Sequence, residues 1–448
     1  MNVAAQSEVR LARTRSAQWA PALAAICALV MLAATAEIVL DGSLGHSVLI
    51  PKSPQIAGWL TTPFGGGARI GERLGFRIFL IAVLAFSAGY GGLALLAGRS
   101  SIGSVSKRWA IALIAALHAI IFVGPILLST DVFSYIAYAR IGVEHGLNPY
   151  THGPISITHD PIYHYVGQDW KKVDTAYGPL YTLISYPFGL LGVTGAVWGM
   201  KALAMLSSAG TLALTWRCAR LRGLDPVKAL LLVGANPLYV IYTLGGAHND
   251  LLMMLLMMLA VALTFAGRDT SAAATVVAGA LVKATVAALL PFMILARRSR
   301  AQGLGALGAL ALGAAIAYAV FGLDGVNIVA ALNRDAAFVS SDSFATEIAH
   351  LFGKPGVFPI DHDLLKALLV LIVVHLLWRT WRGYDWVAAS GWALLAISVT
   401  STWLLAWYIL WPLPLAVIAR DRRLLAATLV LQGLFVFHQL TPLFAPVS

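Results

Sequence analysis

The chain has 448 residues, of which 59% are hydrophobic and only 11% are charged. An ordinary soluble domain carries about 25% charged residues, so this composition argues against that class. The net charge of +11 could suit a nucleic acid, but the basic residues cluster in short gaps between apolar runs. That distribution is the positive-inside pattern, and it predicts membrane lipids rather than nucleic acid as the surroundings of the protein.

Apolar runs near 20 residues recur along the chain, and each is long enough for a helix to cross about 30 Å of hydrocarbon. The runs are continuous rather than alternating, which predicts helices and not a β-barrel. We therefore predict an all-α, polytopic transmembrane bundle. About eleven full spans are expected, near 19–40, 76–97, 109–128, 197–219, 226–244, 250–267, 303–322, 363–380, 385–400, 403–419 and 424–440.

The segment 271–296 can be interpreted in two ways. As a single crossing it would place the basic cluster after it on the outer side and reverse the rest of the chain. As two short half-helices that meet at Lys283, it keeps every basic cluster in the cytoplasm, so we favour a re-entrant hairpin. Broken helices are tolerated at membrane depth where they line a protein cavity.

No separate soluble domain is predicted. The expected organisation is a cytoplasmic tail over 1–18, one transmembrane domain over 19–440 and a short tail over 441–448. Three stretches facing the outer side are too long for simple turns, namely 41–75, 129–196 and 323–362. Cys27 and Cys218 fall in or near apolar runs at opposite faces, so neither a disulfide nor a metal motif is predicted.

The second outward stretch opens with Ser129-Thr130-Asp131 at the end of an apolar run. Apolar positions recur at helical spacing from Asp131 to about His145, but this segment is too short and too polar to span. We expect it to lie along the outer membrane surface, followed by a second short helix near 180–192. Asp131 either caps this helix or presents its carboxylate to a ligand at the lipid–water boundary.

A further polar group stands between two predicted spans, at Gly245-Gly246-Ala247-His248-Asn249-Asp250. Asn249 or Asp250 could simply cap the next helix, and the glycines could simply form a tight turn. Alternatively, His248 could donate to an anion or accept a proton there. The acidic residues of the long outward loop are interpreted as solvated loop residues: Asp160, Asp169 and Asp174.

These pieces together resemble the GT-C class of integral membrane glycosyltransferases. They are most similar to the actinobacterial polyprenyl-phosphomannose-dependent alpha-1,6-mannosyltransferases. The resemblance covers about residues 100 to 420. It is carried by Asp131 to Tyr135, Asn148-Pro149-Tyr150, Tyr177-Gly178-Pro179-Leu180, Gly245 to Asp250, Val282-Lys283-Ala284-Thr285, and Trp407-Tyr408-Ile409-Leu410-Trp411-Pro412-Leu413-Pro414.

The resemblance implies an inverting transfer of a sugar from a polyprenyl-phosphate donor to a lipid-linked or glycan acceptor on the outer side of the cytoplasmic membrane. Mannose is the sugar that it implies. The resemblance also implies that Asp131 is the general base. The sequence itself shows no His-rich or paired-carboxylate ligand set of clear spacing, so neither a metal nor a cofactor is predicted. A cation should meet the leaving phosphate, and the candidates are Lys283, His248 and Arg334. The expected substrate-binding residues are Tyr135, Tyr150, Tyr177, Asn249, Asp250, Trp407 and Tyr408.

Several of these assignments keep a simpler alternative. Lys283 could be a snorkelling side chain at a span end, and Arg334 a solvated loop charge. The aromatic residues around 403–419 could form an interfacial belt instead of stacking on a sugar. A polytopic transporter or flippase for an envelope precursor is the main rival function, although no internal repeat supports it. A non-catalytic assembly partner is a third possibility.

Overall fold

The computed structural model describes residues 3–44, 72–98, 107–326 and 338–443, and these form helices without any strand. The α-helices are, in chain order, α1 Val3–Leu44, α2 Glu72–Gly98, α3 Lys107–Val123, α4 Asp131–Val143, α5 Pro179–Gly189, α6 Gly192–Leu221, α7 Pro226–Gly234, α8 Asp250–Phe265, α9 Asp269–Ala280, α10 Leu289–Arg297, α11 Arg300–Phe321, α12 Phe344–Leu351, α13 Pro359–Trp381, α14 Trp386–Thr400, α15 Leu413–Ile418 and α16 Arg422–Gln439.

Shorter pieces connect these helices. A π-helical turn covers Leu238–Leu244. The remaining helical turns are of the 3-10 type and cover Pro154–Ile157, Pro161–His164, Gln168–Trp170, Ala284–Ala288, Asp324–Val326, Ala406–Leu410 and Thr441–Leu443. The outward loop 41–75 and the C-terminal tail 441–448 fall largely outside the described residues, whereas the predicted N-terminal tail 1–18 is part of α1 from Val3 onward.

Fewer helices are long enough to cross a membrane than the sequence predicted. Within the described ranges, four helices are long and apolar enough: Trp19–Ser43, Arg73–Ala97, Gly192–Leu221 and Arg300–Phe321. Pro226–Gly234 and Leu238–Leu244 would make a fifth span if the pair, bent by 46°, counts as one. The predicted span 403–419 is likewise not one α-helix: a 3-10 turn over Ala406–Leu410 precedes α15, and Pro412, which has no backbone N–H, stands at the junction.

The segment 269–297 folds as two helical halves, with Lys283 in an extended conformation between them. Arg297, at the end of α10, reaches back to Asp269 at the start of α9, with 3.2 Å between Nε and Oδ1. Both ends of the segment therefore lie on one side. This is the hairpin geometry that the charge distribution predicted, while its depth in a membrane stays a prediction.

Helix α4 is more enclosed than its polar positions suggested, while its place along the outer membrane surface stays a prediction. Its residues from Val132 to Ala139 are all buried, including the polar Ser134. Helices α5 and α6 and the two 3-10 turns after Gly153 pack around it. The alternation of apolar and polar positions in 131–145 predicted a half-exposed helix. In the structure, the rest of the loop covers the polar side of this helix.

An ion-pair network holds that loop on α4. Arg140 donates through Nε to both Asp160 carboxylate oxygens at 2.9 and 3.0 Å, and His145 lies 2.8 Å from Oδ2. Arg140 also donates to the Gly189 carbonyl at 2.8 Å. The Asp160 side chain is only 1% exposed, so the prediction that it is a solvated loop residue was wrong. Burial of a carboxylate is tolerated here because it is paired and hydrogen-bonded.

Backbone hydrogen bonds attach the end of the same loop to the hairpin. Gly178 N donates to Val282 O at 3.3 Å, and Leu180 N donates to Leu281 O at 3.0 Å. A Cβ at Gly178 would lie 2.0 Å from the Leu281 carbonyl oxygen, so only glycine allows this approach. The Tyr177-Gly178-Pro179-Leu180 motif thus brings the loop directly onto the Lys283 turn.

We expect Gly178→Ala to destabilise the protein by about 1–3 kcal/mol, because the methyl group must push two backbone segments apart. Thermal unfolding of the purified protein in detergent measures this effect. Gly303→Ala is the control, since no heavy atom lies within 4 Å of its added Cβ. Equal unfolding temperatures for wild type and Gly178→Ala would show that the loop and hairpin are not tightly joined.

We expect Asp160→Asn to destabilise the outward loop 129–196 by about 3–5 kcal/mol, because it leaves the Arg140 guanidinium without its buried partner. Glu144→Gln is the control. That carboxylate is 39% exposed and 3.9 Å from Arg140, so its removal should cost at most about 1 kcal/mol. Limited proteolysis within 144–178 measures the difference, and similar cleavage rates for both variants would contradict the assignment.

The same network predicts an acid dependence. Burial alone would raise the pKa of Asp160, but hydrogen bonds from His145, the Ile162 amide and Arg140 hold it below its ordinary value. The stabilisation is therefore complete above the unfolded-state pKa of about 3.9 and is lost as pH falls through the folded pKa. Loop protection should fall below about pH 4 in the wild type and should depend less on pH in Asp160→Asn.

Candidate active site

Two chain segments distant in sequence meet where α4 begins. Leu127 N donates to Gly245 O at 2.9 Å, which places the stretch before Asp131 beside the turn that carries His248. Leu128 and Ala247 both adopt a left-handed backbone, with φ of 61° and 51°. Such conformations are uncommon for residues other than glycine and cluster at functional sites. The strain lies next to the two polar residues that the sequence singled out.

A buried lysine fixes the end of the helix that precedes this stretch. Lys201, 3% exposed on α6, donates to the carbonyls of Ile121 and Gly124. These carbonyls lie at the end of α3, where no further turn of helix supplies donors. Lys201 was not predicted as a site residue, because a lysine in an apolar run shows its partner only after folding.

The Asp131 carboxylate does not cap α4, so this alternative is resolved against the capping role. Thr130 occupies the cap position without a side-chain hydrogen bond, and Ser129 Oγ accepts from the Asp131 backbone N–H at 3.1 Å. The side chain of Asp131 is 18% exposed. It borders a cavity of about 630 Å³, whose wall also includes Trp170, Phe338 and Trp403. A partly exposed carboxylate is thereby available to a ligand.

His248 lies behind Asp131 rather than on the cavity surface, contrary to its expected place as a phosphate ligand. Its side chain is fully buried, and Nδ1 lies 3.4 Å from Asp131 Oδ2. Its ring stacks on Trp407, with 3.5 Å between ring centroids and 25° between planes. Trp407 in turn borders the cavity. His248 is therefore placed to orient the carboxylate, and the Trp407 ring stacked on it belongs to the cavity wall.

Asp250 and Lys283 form a second acidic and basic pair. Lys283 Nζ lies 2.8 Å from Asp250 Oδ1, and Trp411 Nε1 donates to the same oxygen at 2.6 Å. Asp250 is fully buried, makes no side-chain cap bond on α8 and pairs with Lys283. The lysine also lies over the Tyr408 ring, 4.3 Å from its centroid, and its side chain is 17% exposed.

Tyrosines fill the space between these two pairs. Tyr135 contacts Tyr177 edge-on, with 4.7 Å between centroids, and its hydroxyl donates to Asn249 Oδ1 at 3.4 Å. Burial raises the pKa of Tyr177 well above its usual value, and the nearby Asp131 carboxylate raises it further. The pKa of Tyr135 is raised for the same reasons, with Asp250 adding to the effect. Both phenols therefore stay protonated and can only donate or accept hydrogen bonds.

The other predicted site residues have different positions. Tyr150 donates to the Tyr177 carbonyl at 2.9 Å and packs on Phe321, so these contacts support the loop, and Tyr150 is not among the residues that border the cavity. Asn249 is buried beneath Tyr135. Arg334 lies outside the described residues. Of the predicted set, Asp131 and Trp407 border the cavity, and Lys283 belongs to the neighbouring cluster.

Family models match two parts of the chain. The model for the alpha-(1->6)-mannopyranosyltransferase N-terminal domain covers residues 12–299, and a model for the MptB C-terminal domain covers residues 363–442. The first match includes Asp131, His248, Asp250 and Lys283. No solved structure matches the chain.

Relatives with assigned names agree with these matches. Alpha-(1->6)-mannopyranosyltransferase A of Mycobacterium tuberculosis is 28% identical over 341 residues, which is 69% of this chain and 66% of that protein. The protein of the same name in Corynebacterium glutamicum is 31% identical over 185 residues, or 41% of this chain and 37% of that protein. The aligned regions thus span just under two thirds, or less, of these relatives. The resemblance predicted from the motifs is confirmed, and the chain belongs to the alpha-(1->6)-mannopyranosyltransferase family.

Proposed function

We propose that this membrane protein transfers mannose from a polyprenyl-phosphate donor to a hydroxyl group of a lipid-linked or glycan acceptor, on the outer side of the cytoplasmic membrane. The family and the names of the relatives support mannose as the sugar. The observation that carries the proposal is the partly exposed carboxylate of Asp131 at a cavity of about 630 Å³. Pockets of this size hold small substrates.

Asp131 is the general base of the proposed reaction. It accepts the proton of the acceptor hydroxyl while that oxygen forms a bond to the anomeric carbon of mannose. The bond from this carbon to the phosphate oxygen breaks on the opposite face, and the sugar develops positive charge in the transition state. The configuration is inverted. An α-linked product, as the relatives' names specify, therefore requires a β-linked donor.

His248 has a supporting role in this scheme. A carboxylate works as a base only when it points at the proton that it removes. The imidazole at 3.4 Å from Oδ2 and the stacked Trp407 ring restrict the rotation of Asp131. This assigns His248 to positioning the base, in place of the phosphate contact expected from the sequence.

Lys283 is the candidate cation for the leaving phosphate. The leaving group gains negative charge as the bond breaks, and a fixed positive charge stabilises it. Lys283 is held by Asp250 and by the rings of Tyr408 and Trp411. Its orientation is thus set before the substrate binds. Because one carboxylate is already paired with the lysine, a bound phosphate would share this ammonium group with Asp250.

We expect Asp131→Asn to lower turnover by roughly 10²–10⁴-fold while leaving thermal stability near that of the wild type, because the amide cannot accept the proton. The assay uses purified protein, radiolabelled polyprenyl-phosphate mannose and membrane lipid extract. Asp363→Asn, an exposed carboxylate on α13, is the control. Equal incorporation by Asp131→Asn and wild type would reject the base, and no incorporation by either would count against the transferase.

We expect Lys283→Met to lower kcat by roughly 10²–10³-fold and also to destabilise the protein, because it removes a transition-state cation and leaves Asp250 unpaired. The double variant Lys283→Met with Asp250→Asn separates the two effects. It should regain stability, since no buried charge is left without a partner, but turnover should stay low. Recovery of turnover in the double variant would show that Lys283 only neutralises Asp250.

A further inference from the structure

We infer that the cavity beside Asp131 is a subsite for a neutral hexopyranose of the acceptor, and that Trp170, Trp403 and Asp169 recognise this sugar. This inference rests on the proposed function and specifies its acceptor as a glycan end. Four features carry it: an aromatic wall, the absence of cationic side chains among the described residues that border the cavity, two carboxylates on the same border, and the size of the cavity.

The wall consists of three aromatic rings from three separate parts of the chain. Trp170 lies 5.7 Å from Phe338 and 6.1 Å from Trp403, and the last two are 5.3 Å apart between centroids. All three residues are partly exposed and border the cavity. A pyranose ring presents one face of C–H groups, which packs favourably on an aromatic face. Isolated surface tryptophans would not converge in this way.

Specific backbone contacts keep these rings in place. Thr402 Oγ1 donates to the Phe338 carbonyl at 3.0 Å, and Ser340 N donates to the Thr402 carbonyl at 2.8 Å. These bonds hold Phe338 against Trp403. On the opposite side, a Cβ at Gly167 would lie 2.7 Å from Thr130 Oγ1, so glycine allows the turn of Trp170 to approach α4. The wall is therefore built in before a ligand binds, which lowers the cost of ordering it.

The charges of the cavity favour the acceptor over the donor. Among the described residues that border it, the ionisable side chains are Asp131 and Asp169, and none is cationic. Two carboxylates repel the phosphate of a polyprenyl donor, whereas they accept hydrogen bonds from sugar hydroxyls. Lys283, the candidate phosphate ligand, contacts Asp250 and Tyr408 in the adjacent cluster and does not border this cavity. The donor phosphate is therefore directed away from the aromatic wall.

Two carboxylates on one cavity surface connect the subsite to the reaction. Asp169 precedes Trp170, and Asp131 lies on the same cavity surface. A sugar stacked on the wall would present one hydroxyl to Asp131, the proposed base, and others to Asp169. The cavity volume of about 630 Å³ is large enough for one or two sugar rings.

The test measures initial rates of the full-length protein in detergent with polyprenyl-phosphate mannose and octyl α-1,6-dimannoside. Trp170→Leu and Trp403→Leu should each raise KM for the dimannoside at least tenfold and change KM for the donor less than twofold. Asp169→Asn should raise the acceptor KM in the same way. Trp381→Leu is the control, because this tryptophan is 56% exposed and does not border the cavity. Trp170→Phe should restore most of the acceptor affinity if the ring itself is needed.

A binding measurement separates this inference from the proposed function. The Asp131→Asn variant should still bind octyl α-1,6-dimannoside in a calorimetric titration, and adding Trp170→Leu should abolish the signal. Unchanged acceptor KM in both tryptophan variants of an active enzyme would overturn the subsite while the transferase stands. A raised donor KM with an unchanged acceptor KM would also overturn it. An inactive wild type that binds the dimannoside would reject the proposed transfer and support the subsite.

Discussion

The hydrogen bond from Leu127 N to Gly245 O is the contact on which the site depends. It joins the start of the outward loop 129–196 to a turn more than a hundred residues later, and it brings Asp131 within 3.4 Å of His248. The neighbouring left-handed residues Leu128 and Ala247 show that the backbone is bent to achieve this. Backbone outside helices must still satisfy its polar groups, so the two segments serve as partners for one another.

A corresponding contact on the other side of the loop attaches Gly178 and Leu180 to the Lys283 turn. The outward loop 129–196 is thus fixed at both ends, and the Arg140–Asp160 pair fixes its middle on α4. Most of its motifs hold the loop in place. Tyr150 and Gly178 matter because of the backbone groups that they reach, whereas Asp131 and Trp170 present side chains to the cavity.

The charged groups of the site are arranged as two supported pairs with different exposure. Asp250 is fully buried and is compensated by Lys283 and Trp411. Asp131 is partly exposed and is backed by His248. A buried carboxylate without a partner would be costly, so the first pair is permanent. The second carboxylate keeps access to a ligand, which is the difference expected between a group that supports a cation and the proposed general base.

The sequence by itself determined the membrane class, the helical architecture, the family and the break at 271–296, and it singled out Asp131 and Lys283 as candidate site residues. These follow from composition, charge position and short motifs, which are local properties. Only the tertiary structure decided that α4 is buried, that Asp160 is paired, that His248 and Asp250 stand behind other residues, and that Trp170, Phe338 and Trp403 form one wall. The physical reason is that burial and pairing depend on which distant segments meet. The sequence spacing of Trp170 and Trp403 carries no sign of their 6.1 Å separation, because that contact arises only when the loop folds back onto the bundle.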